Sequence, residues 1–415
     1  MPSVHVPYYS FPLDNETWLH PISYLQPHHV NNDEFIFNEK NIFSTESQIN
    51  FDCNFANIKN LIIGVGVVET HAGGDRTYHL QKTIENFEKI FINLENIYIF
   101  NLTSHFDVTK IVSKSNIHVR IIKYCLLRSR MTDLKQFSSW KIGNKKAIFL
   151  PGTISGRPHK FPLLYYFYKQ NKLDLLYYSL KQWPLNTDFQ NCPHLKRVLE
   201  ILNNDFDAQL TQHSFRELFY KLSKNLSNDP YEAINDYYGI SMHTHLYPIQ
   251  WNLATCNILC ESHFYNLKSV LNREVPGHEK FYFSEKMYKP LLSNKPFIAC
   301  SYNDEIYTQL EELGFKTFLE YTDYPNKLEI HTSTKSKPFV KLCFDRVTSF
   351  LKNCDKYEKE ILSDTMHNKK RWLELSKNEW EANKSFCPPI KHLSLEAFCE
   401  IFNYPSYVEK FYKLL

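Results

Sequence analysis

Arg157, His159 and Lys160 put three phosphate-capable donors within four positions of the loop Thr-Ile-Ser-Gly-Arg-Pro-His-Lys (153–160). The apolar run before the loop reads as a strand and the one after it as a helix. Free backbone N–H groups and the positive helix end favour an anion at such a junction. A guanidinium can grip a diphosphate through two parallel hydrogen bonds. The alternative for the same residues is a solvated turn capped by Ser155.

A second constellation is Phe-Ser-Glu-Lys-Met-Tyr-Lys-Pro (283–290). Ser284 can cap a helix, which puts Glu285 and Lys286 in its first turn. Glu285 suits that end electrostatically and Lys286 does not, so Lys286 is expected to answer a negative group. A carboxylate can accept from both hydroxyls of a ribose, and a lysine can meet phosphates. Pro290 removes one helix hydrogen bond, so the helix should be short or kinked. An ordinary capped helix with a surface lysine is the simpler alternative.

Weaker patterns complete the inventory. Asp-Phe-Asp (205–207) has the composition of an acidic metal motif, but it falls in an expected helix, where the two side chains point apart. His-Thr-His (243–245) would need a strand to align both rings on a metal. Lys-Lys-Arg (369–371) reads as a solvated helix face, and Leu163, Leu164, Phe167 and Tyr168 read as a core stripe at helical spacing. Gly-Val-Gly-Val-Val-Glu (64–69) is not a dinucleotide fingerprint, because Glu69 stands where the third glycine is needed.

The elements that must position these residues follow from apolar runs and turn signals. Residues 1–57 read as irregular. Strands are expected at 60–69, 96–103 and 116–124, with a helix at 76–91 after the first. A second series begins near 146: strand, loop, a helix from 161, and a strand ending near 180. Residues 181–250 read as helical or irregular. Strands at 257–262 and 296–301 then flank the 284–294 helix, and a helix ending at Gly314 follows, with helical stretches over 341–415. Strands alternating with helices argue for βαβ units and parallel sheets. The expected organisation is an N-terminal α/β domain (1–150), a C-terminal α/β domain (151–340) and a helical tail (341–415).

Size and composition fit this scheme. The chain has 415 residues, 43% hydrophobic and 22% charged, a balance that excludes wholesale disorder. Its longest apolar run, Leu61 to Val68, is far short of a membrane span. The first residues lack a basic start and an apolar block, so a cytoplasmic protein is expected. The net charge of +3 is too small for a protein held on nucleic acid by charge alone. Ten cysteines without a CxxC pair argue against a zinc ribbon and for reduced, mostly buried thiols. Ten glycines against 58 phenylalanines and tyrosines, with many Asn, Lys and Ile, match AT-rich codons such as those of an AT-rich viral genome.

Several blocks carry a family resemblance. Residues 257–264 (NILCESHF), 283–298 (FSEKMYKPLLSNKPFI) and 310–318 (LEELGFKTF) occur in that order. They resemble successive blocks of a phage and algal-virus glycosyltransferase-like family. Gly-Arg-Pro-His-Lys (156–160) is similar to its Arg/Lys-Pro-His-Arg block, and Met-His-Asn-Lys (366–369) to its His-Asn block. The Ser-Glu-Lys helix and upstream Arg loop are also similar to α-1,3-fucosyltransferases, which have a two-domain GT-B fold. The resemblance covers about residues 146–375. It implies that Arg157 and Lys286, with His159 and Lys160 nearby, hold a donor diphosphate. It also implies that Glu285 holds the ribose and that Glu261 is a donor-side acid. Glu-Tyr-Thr-Asp-Tyr-Pro (320–325) departs from the family's acidic run, which leaves the role of Asp323 open.

The base must be argued from chemistry. Inverting sugar transfer needs a group that takes the acceptor hydroxyl's proton. In fucosyltransferases that group is a glutamate of the N-terminal domain. The loop at 68–76 offers Glu69 first and Asp75 second; Asp75 could instead cap the following helix. The expectation is therefore an inverting GT-B-like glycosyltransferase with two Rossmann-like parallel-sheet domains facing a central cleft. A nucleotide sugar is its co-substrate, and it has no tightly bound cofactor, no metal and no obligate protein partner. A viral relative could act on a hydroxymethylated base in double-stranded DNA. The alternatives are transfer to a protein, lipid or surface glycan, and a non-catalytic nucleotide- or nucleic-acid-binding protein on a decayed transferase fold.

Overall fold

A computed structural model of the chain describes residues 11–12, 17–22, 58–65, 84–85, 88, 92–101, 117–123, 140–152, 160–180, 193–223, 249–260, 285–300, 304–327 and 336–391. It is a mixed α/β protein with two sheets. The chain divides into two compact units, Met1–Met131 with Leu375–Leu415, and Thr132–Glu374.

The first unit carries a five-stranded sheet in sequential order: β1 (Phe11–Pro12), β2 (Thr17–Ile22), β3 (Asn60–Val65), β4 (Asn96–Asn101) and β5 (His118–Lys123). β1 pairs antiparallel with β2, and the remaining neighbours are parallel. Ile62, Tyr98 and Arg120 share one register row, and Ile63, Ile99 and Ile121 the next. Leu61, Ile62, Ile97 and Ile99 are fully buried, as the apolar runs require. Residues 84–85 and 88 are helical and fall within the helix expected between β3 and β4.

β1 and β2 correct the reading of residues 1–57 as irregular. Thr-Trp-Leu-His-Pro-Ile is a strand in register with the whole of β3. Its proline hid the signal, since proline cannot donate to a ladder. β1 covers β2 only at Trp18 and Leu19, and Pro21 lies beyond that pairing.

The second unit holds a four-stranded, all-parallel sheet: β6 (Ala147–Gly152), β7 (Leu176–Leu180), β8 (Cys256–Leu259) and β9 (Phe297–Ala299). The spatial order is β7-β6-β8-β9. Its described helices are α1 (Lys160–Lys169), α2 (Pro193–Phe206), α3 (Gln212–Leu222), α4 (Ile249–Leu253), α5 (Glu285–Leu292), α6 (Glu305–Glu312), α7 (Lys337–Asn353) and, as far as Glu374, α8 (Glu358–Phe386). Three residues of the expected stripe on α1 are core, Leu163, Leu164 and Phe167 being fully buried, whereas Tyr168 is half-buried and its hydroxyl accepts from Lys221 at 3.1 Å. Phe161 stacks on Phe219 of α3, and Phe167 meets Phe344 of α7 edge-on at 4.8 Å between centroids. Trp251 of α4 packs on Ile148 and Ala254 and donates from its indole to Ser293.

The six described cysteines are free and buried, in line with the thiol expectation. No described helix is long and apolar enough to cross a membrane.

Candidate functional site

Strand order decides where a ligand can enter the second sheet. From β6 the chain passes through α1 to β7, on one side; from β8 it passes through α5 to β9, on the other. The two connections diverge from neighbouring strands, so the carboxyl ends of β6 and β8 form a topological switch point. Crossovers of the usual right hand would put α1 and α5 on opposite faces of the sheet. In open α/β sheets ligands bind in the crevice at that point.

The anticipated donor residues follow those two strands. Lys160 is the first residue of α1 and is 2% exposed. A buried cation at the positive end of a helix needs compensation from its surroundings. Glu285 and Lys286 are the first two residues of α5, where the helix-start reading put them. The helix is short, eight residues with Pro290 inside, also as expected. Lys295 N–H bonds the Pro290 carbonyl at 2.8 Å just beyond its end. Arg157 and His159 (153–159) and Glu261 (261–284) lie outside the described residues, as do Glu69 and Asp75 (66–83), Ser155, Ser284 and the His-Thr-His run.

Other polar groups around the sheet have structural partners. Asp304 sits just before α6, five residues past β9, at the N-cap position, yet its side chain does not cap the helix. It accepts instead two hydrogen bonds from Arg346 of α7, at 2.8 and 2.7 Å, with both residues buried. Arg346 also donates to the carbonyls of Tyr324 (3.3 Å) and Asn326 (2.9 Å) and lies over the Tyr307 ring. Burial opposes its charge, but the hydrogen bonds it donates to Asp304 prevail and hold its pKa above the ordinary value. Its donors are committed to the fold, so this arginine is no phosphate ligand.

The Asp-Phe-Asp pair is also structural. Asp205 lies in the last turn of α2 and accepts from the backbone N–H and hydroxyl of Ser336, both at 2.6 Å, at the start of α7. Asp207 lies past the helix end at φ 55° and pairs with Lys337 at 3.4 Å. Asp323, whose role the sequence left open, accepts from Asn353 at 2.9 Å while its own N–H bonds Ser349. Hydrogen bonds from Asn353 and Ser349 hold its carboxyl below the usual range. Among the described residues, no group of three or more His, Cys, Asp or Glu could hold a metal ion.

The Met-His-Asn-Lys block acts on the end of α6. His367 meets the Gly314 carbonyl at 2.9 Å, Asn368 exchanges two hydrogen bonds with Lys316, and Arg371 donates to the Leu313 carbonyl at 2.8 Å. This corrects in part the reading of 369–371 as a solvated face: Lys370 is exposed, but burial pulls the Lys369 pKa down and Arg371 is half-buried. The sequence held no signal for these partners, because each bond joins residues more than fifty positions apart.

Comparison of the chain with protein-family models, with curated proteins and with solved structures finds no match.

Proposed function

We propose that the protein is a nucleotide-sugar-dependent glycosyltransferase of GT-B type whose second unit holds the donor. The observation that carries this reading is the switch point between β6 and β8. Both strands lead into the stretches with the anticipated donor-binding residues: Arg157, His159 and Lys160 after β6, and Glu261, Glu285 and Lys286 after β8. In this reading Arg157 and Lys286 neutralise the donor diphosphate and Glu285 accepts from the ribose hydroxyls. The charge of the leaving group is met by cationic side chains and helix ends.

The first unit supplies the acceptor side. Glu69 follows β3 by four residues. It takes the proton of the acceptor hydroxyl as that oxygen bonds to the anomeric carbon. The bond from that carbon to the diphosphate breaks, and its electron pair leaves with the diphosphate. The acceptor we favour is a hydroxymethylated base in duplex DNA.

The reading is tested by incubating the protein with a panel of nucleotide sugars and with hydroxymethylated DNA, then measuring the mass of the digested nucleosides. Transfer adds one sugar residue to the modified nucleoside. Glu69→Gln keeps size and removes basicity, so turnover should fall about 10²–10⁴-fold with donor binding preserved. Equal turnover in wild type and Glu69→Gln moves the base to Asp75. A protein that binds a nucleotide sugar yet leaves every DNA, protein and glycan acceptor unmodified is a binder instead of an enzyme.

A further inference from the structure

We draw no further inference here: the strongest candidate, the cluster of buried thiols Cys260, Cys300 and Cys343 around the carboxyl ends of β8 and β9, consists of core groups without the access that redox or metal chemistry requires.

Discussion

Asn368 and Lys316 exchange two hydrogen bonds across 52 positions: the Lys316 N–H donates to the Asn368 carboxamide oxygen at 2.7 Å, and the carboxamide nitrogen donates to the Lys316 carbonyl at 2.8 Å. Asn368 is 1% exposed while Lys316 is exposed, so both bonds are part-buried. They hold the segment leaving α6, whose end is a Schellman turn. Phe315 N–H bonds the Leu310 carbonyl, and Gly314 N–H bonds the Glu311 carbonyl. Two sequence blocks noted separately, 310–318 and 366–369, are thus one structural unit.

Asn368→Ala should therefore cost about 1–3 kcal/mol, because it removes two part-buried hydrogen bonds worth about 0.5–1.5 kcal/mol each. Asn368→Asp keeps the acceptor for Lys316 N–H but sets a carboxylate against the carbonyl, so it should not rescue. Urea denaturation of both variants checks this. Stabilities equal to wild type would mean that water replaces both bonds.

Gly314 is fixed by the same turn. Its φ is +84°, and an added Cβ would lie 2.9 Å from the Arg371 guanidinium nitrogen. Gly314→Ala should lose about 1–2 kcal/mol from the left-handed backbone. Combining it with Arg371→Ala should relieve the contact but not the backbone strain. Thermal unfolding of the single and double variants separates the two contributions.

The Asp304–Arg346 pair predicts asymmetric costs. Arg346→Met removes the guanidinium that neutralises a buried carboxylate and should cost about 3–5 kcal/mol. Adding Asp304→Asn removes that charge and should recover part of the loss. A double variant as unstable as the Arg346→Met single variant would show that the charge is not what matters.

Lys295 predicts a pH dependence. Burial lowers its pKa from 10.5 to about 8, while its ammonium donates to the Ala254 carbonyl at 2.5 Å. Between those values the unfolded chain binds more protons than the folded one, so the Lys295 contribution to stability rises with pH from about 8 to about 10.5. The wild-type-minus-Lys295→Met difference in unfolding free energy should carry this slope. A flat difference would place the Lys295 pKa near its ordinary value.

The second sheet was legible because its strands are short apolar runs bounded by turn residues, as at Ala147–Phe149 and Phe297–Ala299. Helix starts were legible from local chemistry: Glu285 and Lys286 begin α5, and Pro290 limits its length. β2 was not, because Pro21 interrupts a pattern that pairing with β3 completes. Nor were the partners of Asp205, Asp304 and Arg371, since only folding brings those side chains to Ser336, Arg346 and Leu313. The strand order that creates the switch point is likewise a property of pairing, not of any segment.

The central claim is that a nucleoside-diphosphate sugar is held at the carboxyl ends of β6 and β8. Its most direct test is thermal unfolding of the wild type, Arg157→Ala and Lys286→Ala against a panel of nucleotide sugars. One sugar nucleotide at ~100 times its Kd should stabilise the wild type by about 2.7 kcal/mol. Both variants should unfold like the wild type without ligand and lose most of that gain with it. Absence of stabilisation across the panel, or equal stabilisation of all three proteins, would contradict the account.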